Sequence, residues 1–457
     1  MRKISIGFIM AYQQKLSNFK RMKQYIWIIL LAGMLMNDGL QAQEKLDLKQ
    51  AIQIGMEQNY GIRLVEQDVA IAKNNRQVGN AGMLPVLNIS GSQNYSTTNS
   101  RQEFFEGRIN DIDGARSDAL NAGIQLNWTI FDGLAMFRRL DQLALLEEKS
   151  ELELLLEVEQ TINNIYTLYY TLVQLYQQRI VIEKTLAIGL ERYQLAASNL
   201  ETGAGSRLEL LQAQVDLNAD SALYVNLQDQ CSQISIQLNQ LMGRTPNIRF
   251  TVEDSIQFNP HLDLEILTQQ MLENNTLLTL ARRDEQLAQL ALKELKGRQL
   301  PEIGINLGYN YTDQHSQSGF MLQNRSAGIA YGVNATMNLF NGLNTRREKQ
   351  NIKIGIERNR IRTESLETEL MAELLQYHNS YTNKLRLLAM ERQNLFTANE
   401  NLDIASERFK VGDLPGLEFR EAQRNFLAAE LRYNNLMLEI KILETALYQL
   451  SANLSIR

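Results

Sequence analysis

The five prolines of this chain stand at positions 85, 246, 260, 301 and 415. They leave two stretches, 134–201 and 343–410, with no proline at all and one glycine each, Gly189 and Gly355. Proline removes a helix donor and clashes with the preceding turn, so its absence permits helices of unusual length. Apolar residues recur at helical spacing in both stretches. Ile162, Ile165, Tyr166, Tyr169, Leu172, Val173 and Tyr176 mark the first, and Leu366, Leu370, Leu374, Tyr377 and Tyr381 the second. Each reads as one helix of about 68 residues, roughly 100 Å at 1.5 Å per residue. Helices of that length pack against one another as in coiled coils. Shorter helical patterns cover about 49–82, 206–241, 265–298 and 417–449.

The pattern is written twice. Leu46-Asp47-Leu48 returns as Leu262-Asp263-Leu264, Asn59 as Asn275 and Pro85 as Pro301, all 216 residues later. "IFDGL" (130–134) returns as "LFNGL" (339–343), and "LELLQAQ" (208–214) as "LEFREAQ" (417–423), 209 residues later. The seven-residue difference falls between the prolines and the Phe-x-Gly motifs, where an exposed loop is expected to absorb it. The reading is a first copy at 43–243, a linker at 244–261 containing "GRTPNIRF", and a second copy at 262–457.

Between each proline and its Phe-x-Gly motif the period changes to two. Ile303, Ile305, Leu307, Tyr309 and Tyr311 alternate with Gly304, Asn306, Gly308, Asn310 and Thr312. Strands are expected at about 86–96, 119–131, 302–312 and 327–340, each with one apolar and one polar face. A strand of about 9–11 residues suits a tilted bilayer crossing. Tyr95, Trp128, Tyr309, Tyr311 and Tyr331 are candidates for an interfacial aromatic girdle on lipid. Four strands cannot close a barrel, and an open edge in lipid strands backbone groups, so the chain must oligomerise. A dimer gives eight strands and a filled interior; a trimer gives twelve and room for an opening.

The N-terminus fits a membrane destination. "KRMKQYIWIILLAGMLMNDGLQAQ" (20–43) has a basic start, an apolar run and a small residue, Ala42, at the expected cleavage point. Residues 1–42 read as a secretory signal peptide, with 1–21 an upstream extension before Met22. No later apolar run approaches the 18 residues of a spanning helix. The net charge of −6 argues against a nucleic-acid partner. Lone Cys231 excludes an internal disulfide framework, and His261, His315 and His378 are scattered without metal-ligand spacing. No enzyme, cofactor or metal site is expected; His315 is expected in a solvated outer loop.

The two-copy layout, the Leu-Pro strand openings, the Phe-x-Gly exits and the turns "TGAGSRLEL" and "VGDLPGLEF" resemble the TolC-type outer-membrane efflux proteins. The resemblance covers nearly the whole chain after Ala42 and lies in the order and spacing of the motifs. It implies a mainly α fold with a membrane β-barrel part: two tandem copies of helix, β-hairpin, long helix and helix. Three protomers would form a 12-stranded β-barrel on a long α-helical barrel. The implied function is the outer-membrane exit duct of a tripartite efflux or type I secretion system. Its implied partners are outer-membrane lipid, a periplasmic adaptor (membrane fusion) protein and, indirectly, an inner-membrane RND or ABC pump. The helical part would lie in the periplasm. Adaptor-docking turns would be Thr202, Gly203, Ala204, Gly205 and Ser206, then Val411, Gly412, Asp413, Leu414 and Pro415. Val411-Gly412 match the family's Val-Gly-Leu-Ser/Thr turn, and Asp413-Leu414-Pro415 depart from it. Glu418 and Glu421, on one helix face, fall where the family carries paired aspartates at a closed entrance; Glu209 and Gln212 are their partial counterparts in the first copy. The competing readings are a periplasmic coiled-coil scaffold with soluble hairpins and an autonomous diffusion porin, the latter opposed by the long helices.

Overall fold

The computed structural model describes residues 44–252, 255–319 and 321–453. The signal peptide expected at 1–42 lies outside them. The elements run β1 (Glu44–Lys45), α1 (Leu48–Gln58), α2 (Tyr60–Asn75), β2 (Val86–Glu103), β3 (Ile109–Asp132), α3 (Ala135–Glu201), α4 (Arg207–Leu241) and β4 (Phe250–Thr251). The second half continues with α5 (Leu264–Asn274), α6 (Thr276–Gly297), β5 (Glu302–Ser316), β6 (Gln323–Thr336), α7 (Asn344–Lys410) and α8 (Gly416–Leu450).

The helices α3 and α7 are continuous over 67 residues each. Each begins from the repeated Phe-x-Gly-Leu phrase in the same way. Gly133 and Leu134, then Gly342 and Leu343, all take positive φ, and this consecutive left-handed pair swings a strand into a helix. The residue before the glycine caps the new helix: Asp132 Oδ1 accepts Met136 N–H at 3.0 Å, and Asn341 Oδ1 accepts Thr345 N–H at 3.3 Å. At Gly133 a Cβ would lie 2.0 Å from the Gly297 carbonyl oxygen, so no other residue fits there.

The flanking helices are not single. The stretch expected at 49–82 breaks at Asn59 and ends at Asn75, and that at 265–298 breaks at Asn275. Both asparagines are buried and act twice. Asn59 Oδ1 caps Ile62 N–H while its Nδ2 donates to Leu241 O at 2.7 Å; Asn275 Oδ1 caps Leu278 N–H while its Nδ2 donates to Leu450 O at 3.0 Å. Each amide therefore satisfies an orphan donor of one helix and an orphan carbonyl at the end of another.

The apolar cores sit where these breaks occur. Ile165, Tyr169, Leu172 and Val173 of α3 pack with Leu46, Ile52, Leu238 and Met242, and Leu370, Leu374 and Tyr381 of α7 pack with Met271, Leu278 and Ile440. The segment 244–261 is more than the expected linker. Its β4 pairs in parallel with β1, and Phe250, Val252 and Ile256 enter the first core.

The four long strands form one antiparallel sheet in the order β2-β3-β5-β6, open at β2 and β6. The first hairpin outruns expectation: β2 has 18 residues and β3 has 24, against 15 and 14 in β5 and β6. The seven extra residues thus lengthen strands rather than a loop, and the connection is the short turn 104–108. β6 ends at Thr336, short of the expected 340, because its ladder with β5 runs out at the Glu302–Thr336 pair. His315 lies in β5, not in a loop, with Nδ1 3.5 Å from an Asp118 oxygen.

Candidate functional site: two sheet faces and two helical turns

Alternation and register sort the sheet into two surfaces. On one, successive cross-strand levels read Trp128–Ile305–Val333, Leu87–Leu126–Leu307–Tyr331, Ile89–Ile124–Tyr309–Ile329 and Gly91–Ala122–Tyr311–Ala327. The next level, Gln93–Leu120–Asp313–Arg325, carries charge, and the one after holds Tyr95, Asp118, His315 and Gln323. Asp313 accepts from Arg325 Nη2 at 2.8 Å and from Gln323 Nε2 at 2.9 Å. From the Ile303 level to the Asp313 level is about 34 Å along a strand, or about 24 Å at a 45° tilt, close to the ≈25 Å apolar band of an outer-membrane barrel. Most of the apolar side chains are solvent-exposed in the single chain, Ile89 at 82% and Tyr331 at 83%, while Leu126, Ile305 and Tyr311 are half-buried.

The five aromatic candidates share this face but not one height. Trp128 is at the base, its Nε1–H donated to Met83 O at 2.9 Å, and Tyr95 is at the charged outer level. Tyr311 reaches the outer boundary, its hydroxyl 3.4 Å from Asp313. Tyr331 and Tyr309 stand at the apolar levels between these two ends. The period of two fixed their face; their height depended on the register between strands.

At the far end of the long helices lie two turns. In the first, Gly203 is left-handed with open space around it, and Ala204 and Gly205 both donate to Asn199 O. Ser206 and Glu209 form a reciprocal capping box, at 3.2 Å from Glu209 N–H to Ser206 Oγ and 3.1 Å from Ser206 N–H to Glu209 Oε2. The Glu209 carboxylate is therefore engaged by its own backbone. In the second, Gly412 is left-handed, Asp413 N–H donates to Arg408 O, and Arg408 Nε donates to the Asp413 carboxylate at 2.9 Å. Pro415 precedes α8 as its cap residue and not as its first residue. Phe409 and Phe419 stack at 4.8 Å, joined by Leu414 and by Ile188 of α3. Glu418 and Glu421 are exposed on the opposite side.

Sequence reasoning missed a buried charge cluster two turns further in. Arg420 of α8 makes a two-pronged ion pair with Asp220 of α4, at 2.6 and 2.7 Å, and its Nε lies 3.5 Å from Asp216. Asp216 is also bonded by Arg192 of α3. Hydrogen bonding to Asp220 raises the Arg420 pKa above its ordinary value, against burial. Next to it Gln423, 2% exposed, has no hydrogen-bond partner for either amide atom. These partners lie about 200 residues apart in sequence, and no short-range pattern links them. At the base of the sheet, Glu294 gathers Arg298, Arg139 and Gln142. Burial raises its pKa, but the Arg298, Arg139 and Gln142 hydrogen bonds outweigh that, and the net shift is downward.

Among the described residues no helix is long and apolar enough to cross a membrane, and no three or more His, Cys, Asp and Glu side chains group as a metal would require. An open sheet with one lipid-height apolar face, mounted on helices of about 100 Å, defines the architecture of an outer-membrane channel. The outer membrane efflux protein model matches residues 51–244 and 267–453, and the chain belongs to that family. It is 23% identical over 374 residues to the outer membrane efflux protein BepC of Brucella suis biovar 1 (strain 1330), covering 81% of this chain and 76% of the relative. Its fold is that of the outer-membrane channel OprN (TM-score 0.71, 17% identity, 89% and 90% of the two chains). The Campylobacter jejuni CmeC channel (0.73, 15%, 89% and 85%) and Vibrio cholerae VceC (0.71, 15%, 88% and 95%) are similarly close. The protein is thus an outer-membrane duct of an efflux system, in a family of channel proteins.

Proposed function

We propose that three copies join through their β2 and β6 edges into a 12-stranded barrel, with the helices prolonging the tube into the periplasm. The observation that carries this is the open four-stranded sheet whose apolar face matches lipid thickness. Its unpaired edges cannot remain unpaired in lipid. Three sheets make a barrel wide enough for an opening, which two do not. In this reading the duct is passive: a periplasmic adaptor engages the turns 202–206 and 411–415, and an RND or ABC pump in the inner membrane drives export. The left-handed glycines with free space around them leave both turns accessible to such a partner.

Glu418 and Glu421 are assigned to the entrance, where three-fold repetition stacks two acidic rings that favour cations. Glu209 contributes less, since its carboxylate caps α4. Negative-stain imaging of detergent-extracted protein tests the assembly. Three-fold particles longer than about 100 Å are expected; detergent-independent soluble particles without a barrel would overturn it in favour of a periplasmic scaffold. Single-channel recording of the Glu418→Ala/Glu421→Ala variant tests the entrance, and unchanged conductance and cation preference would remove these residues from it.

A further inference from the structure

The second face of the sheet has a composition that the membrane does not require. Its levels read Thr129–Gly304–Asn334, Val86–Asn127–Asn306–Gly332, Asn88–Gln125–Gly308–Ala330, Ser90–Gly123–Asn310–Gly328, Ser92–Asn121–Thr312–Ser326 and Asn94–Ala119–Gln314–Asn324. Not one of these residues is ionisable. The first charges on this face are Glu302 and Asp132, paired with each other at the base. The opposite face, by contrast, carries Asp313, Arg325, Asp118 and His315 at its outer boundary.

The asparagines are also placed in a particular way. Asn334 lies opposite Gly304, Asn306 opposite Gly332 and Asn310 opposite Gly123. A Cβ on those glycines would come within 3.0, 3.4 and 2.7 Å of the facing amide oxygen. Each amide therefore lies down over the bare α-carbon of its partner and fills that notch instead of standing out from the wall. Thr312 and Asn121 are tied by a 3.1 Å hydrogen bond on the same surface. An amide presents both a donor and an acceptor, so such a wall can solvate either sign of charge. Fixed charges in a narrow low-dielectric passage focus a field of one sign, and here they are absent.

We propose that this flat, charge-free amide wall makes the barrel section of the duct indifferent to the charge of its cargo, and that charge selection within the barrel is confined to Glu302 and Asp132 at its base. The proposal rests on the barrel reading above, in which this face is the lumen. It assigns cargo as water-soluble molecules of either sign, with no binding subsite in the barrel.

Single cysteines provide the test: Ser90→Cys and Asn310→Cys on the wall, Thr129→Cys at the base, and Ile329→Cys on the apolar face. Thr129 is chosen because its Oγ1 donates to Glu302 Oε1 at 3.2 Å. Intact cells would be treated with a cationic and an anionic methanethiosulfonate reagent of matched size, with unsubstituted protein, whose Cys231 is buried, as background. At Ser90→Cys and Asn310→Cys the two rates should agree within about twofold, the expectation for no nearby fixed charge. At Thr129→Cys the cation should react several-fold faster, and Glu302→Gln should reduce that preference, leaving the share due to Asp132. A strong preference of one sign at the wall positions that survives Glu302→Gln, or no reaction there with either reagent, overturns the proposal. Ile329→Cys separates the two levels of the argument: silence there agrees with a lipid-facing surface, whereas labelling as fast as at Ser90→Cys overturns the barrel itself.

Discussion

At the turn 202–206, Ser206 and Glu209 satisfy each other's backbone donors, and the surrounding residues remain exposed. At the turn 411–415, Pro415 has no N–H to offer, so no reciprocal cap can form. Phe419 instead stacks on Phe409 and seals against Leu414 and Ile188. Local hydrogen bonds hold both turns, and the second adds an apolar cluster that reaches across to α3. Polar capping is worth about 1 kcal/mol, whereas a buried aromatic is worth about 3 kcal/mol or more. The second turn is therefore the one mechanically tied to its neighbours, and disturbing it should propagate.

The largest expected effect comes from the ion pair that joins the second turn's helix to the first coil. Arg420→Ala leaves Asp220 buried without its partner, a loss of about 3–5 kcal/mol. Thermal unfolding in detergent should show it, and Arg420→Lys should recover only part, since a lysine cannot form the two-pronged pair. Phe419→Ala should cost about 3 kcal/mol and raise amide exchange in 402–426, with exchange around 198–210 unchanged. If both turns exchange faster together, the contrast between them is false. Gln423→Leu should act in the opposite direction. Replacing a buried amide that has no partner by an apolar group should stabilise the contact by about 1–3 kcal/mol, read as a higher melting temperature. Ser206→Ala should cost about 1 kcal/mol and be felt only in the first turn of α4.

The base of the sheet should differ from both turns in its response to acid. The Glu294 pKa is lowered in the folded protein, so its contribution is present above the ordinary carboxylate range and is lost as pH falls through the lowered value. Amide protection at the end of α6 should weaken as pH falls below the ordinary carboxylate range, and Glu294→Gln should flatten that dependence.

Much of this was legible because it depends on periods and on backbone rules. Proline placement revealed two uninterrupted helices, and a period of two revealed which residues of β5 share a face. The breaks at Asn59 and Asn275 were not legible. An asparagine reads as an ordinary helix-interior residue until Leu241 O and Leu450 O come within reach of its amide. The capping role of Glu209 could have been read, since Ser206-x-x-Glu209 is a capping-box spacing. The Arg420–Asp220 pair could not, because nothing local links its ends.

Left to itself, the sequence determined the helix and strand segments, the duplication and the division of the sheet into an apolar and an uncharged face. These follow from side-chain periodicity and from what proline and glycine permit. The tertiary structure alone decided which distant groups satisfy one another: the amides that join stacked helices, the buried charges between the coils, and the asparagines laid over glycines. Each needs two groups within about 3 Å, and that proximity exists only after the chain has packed.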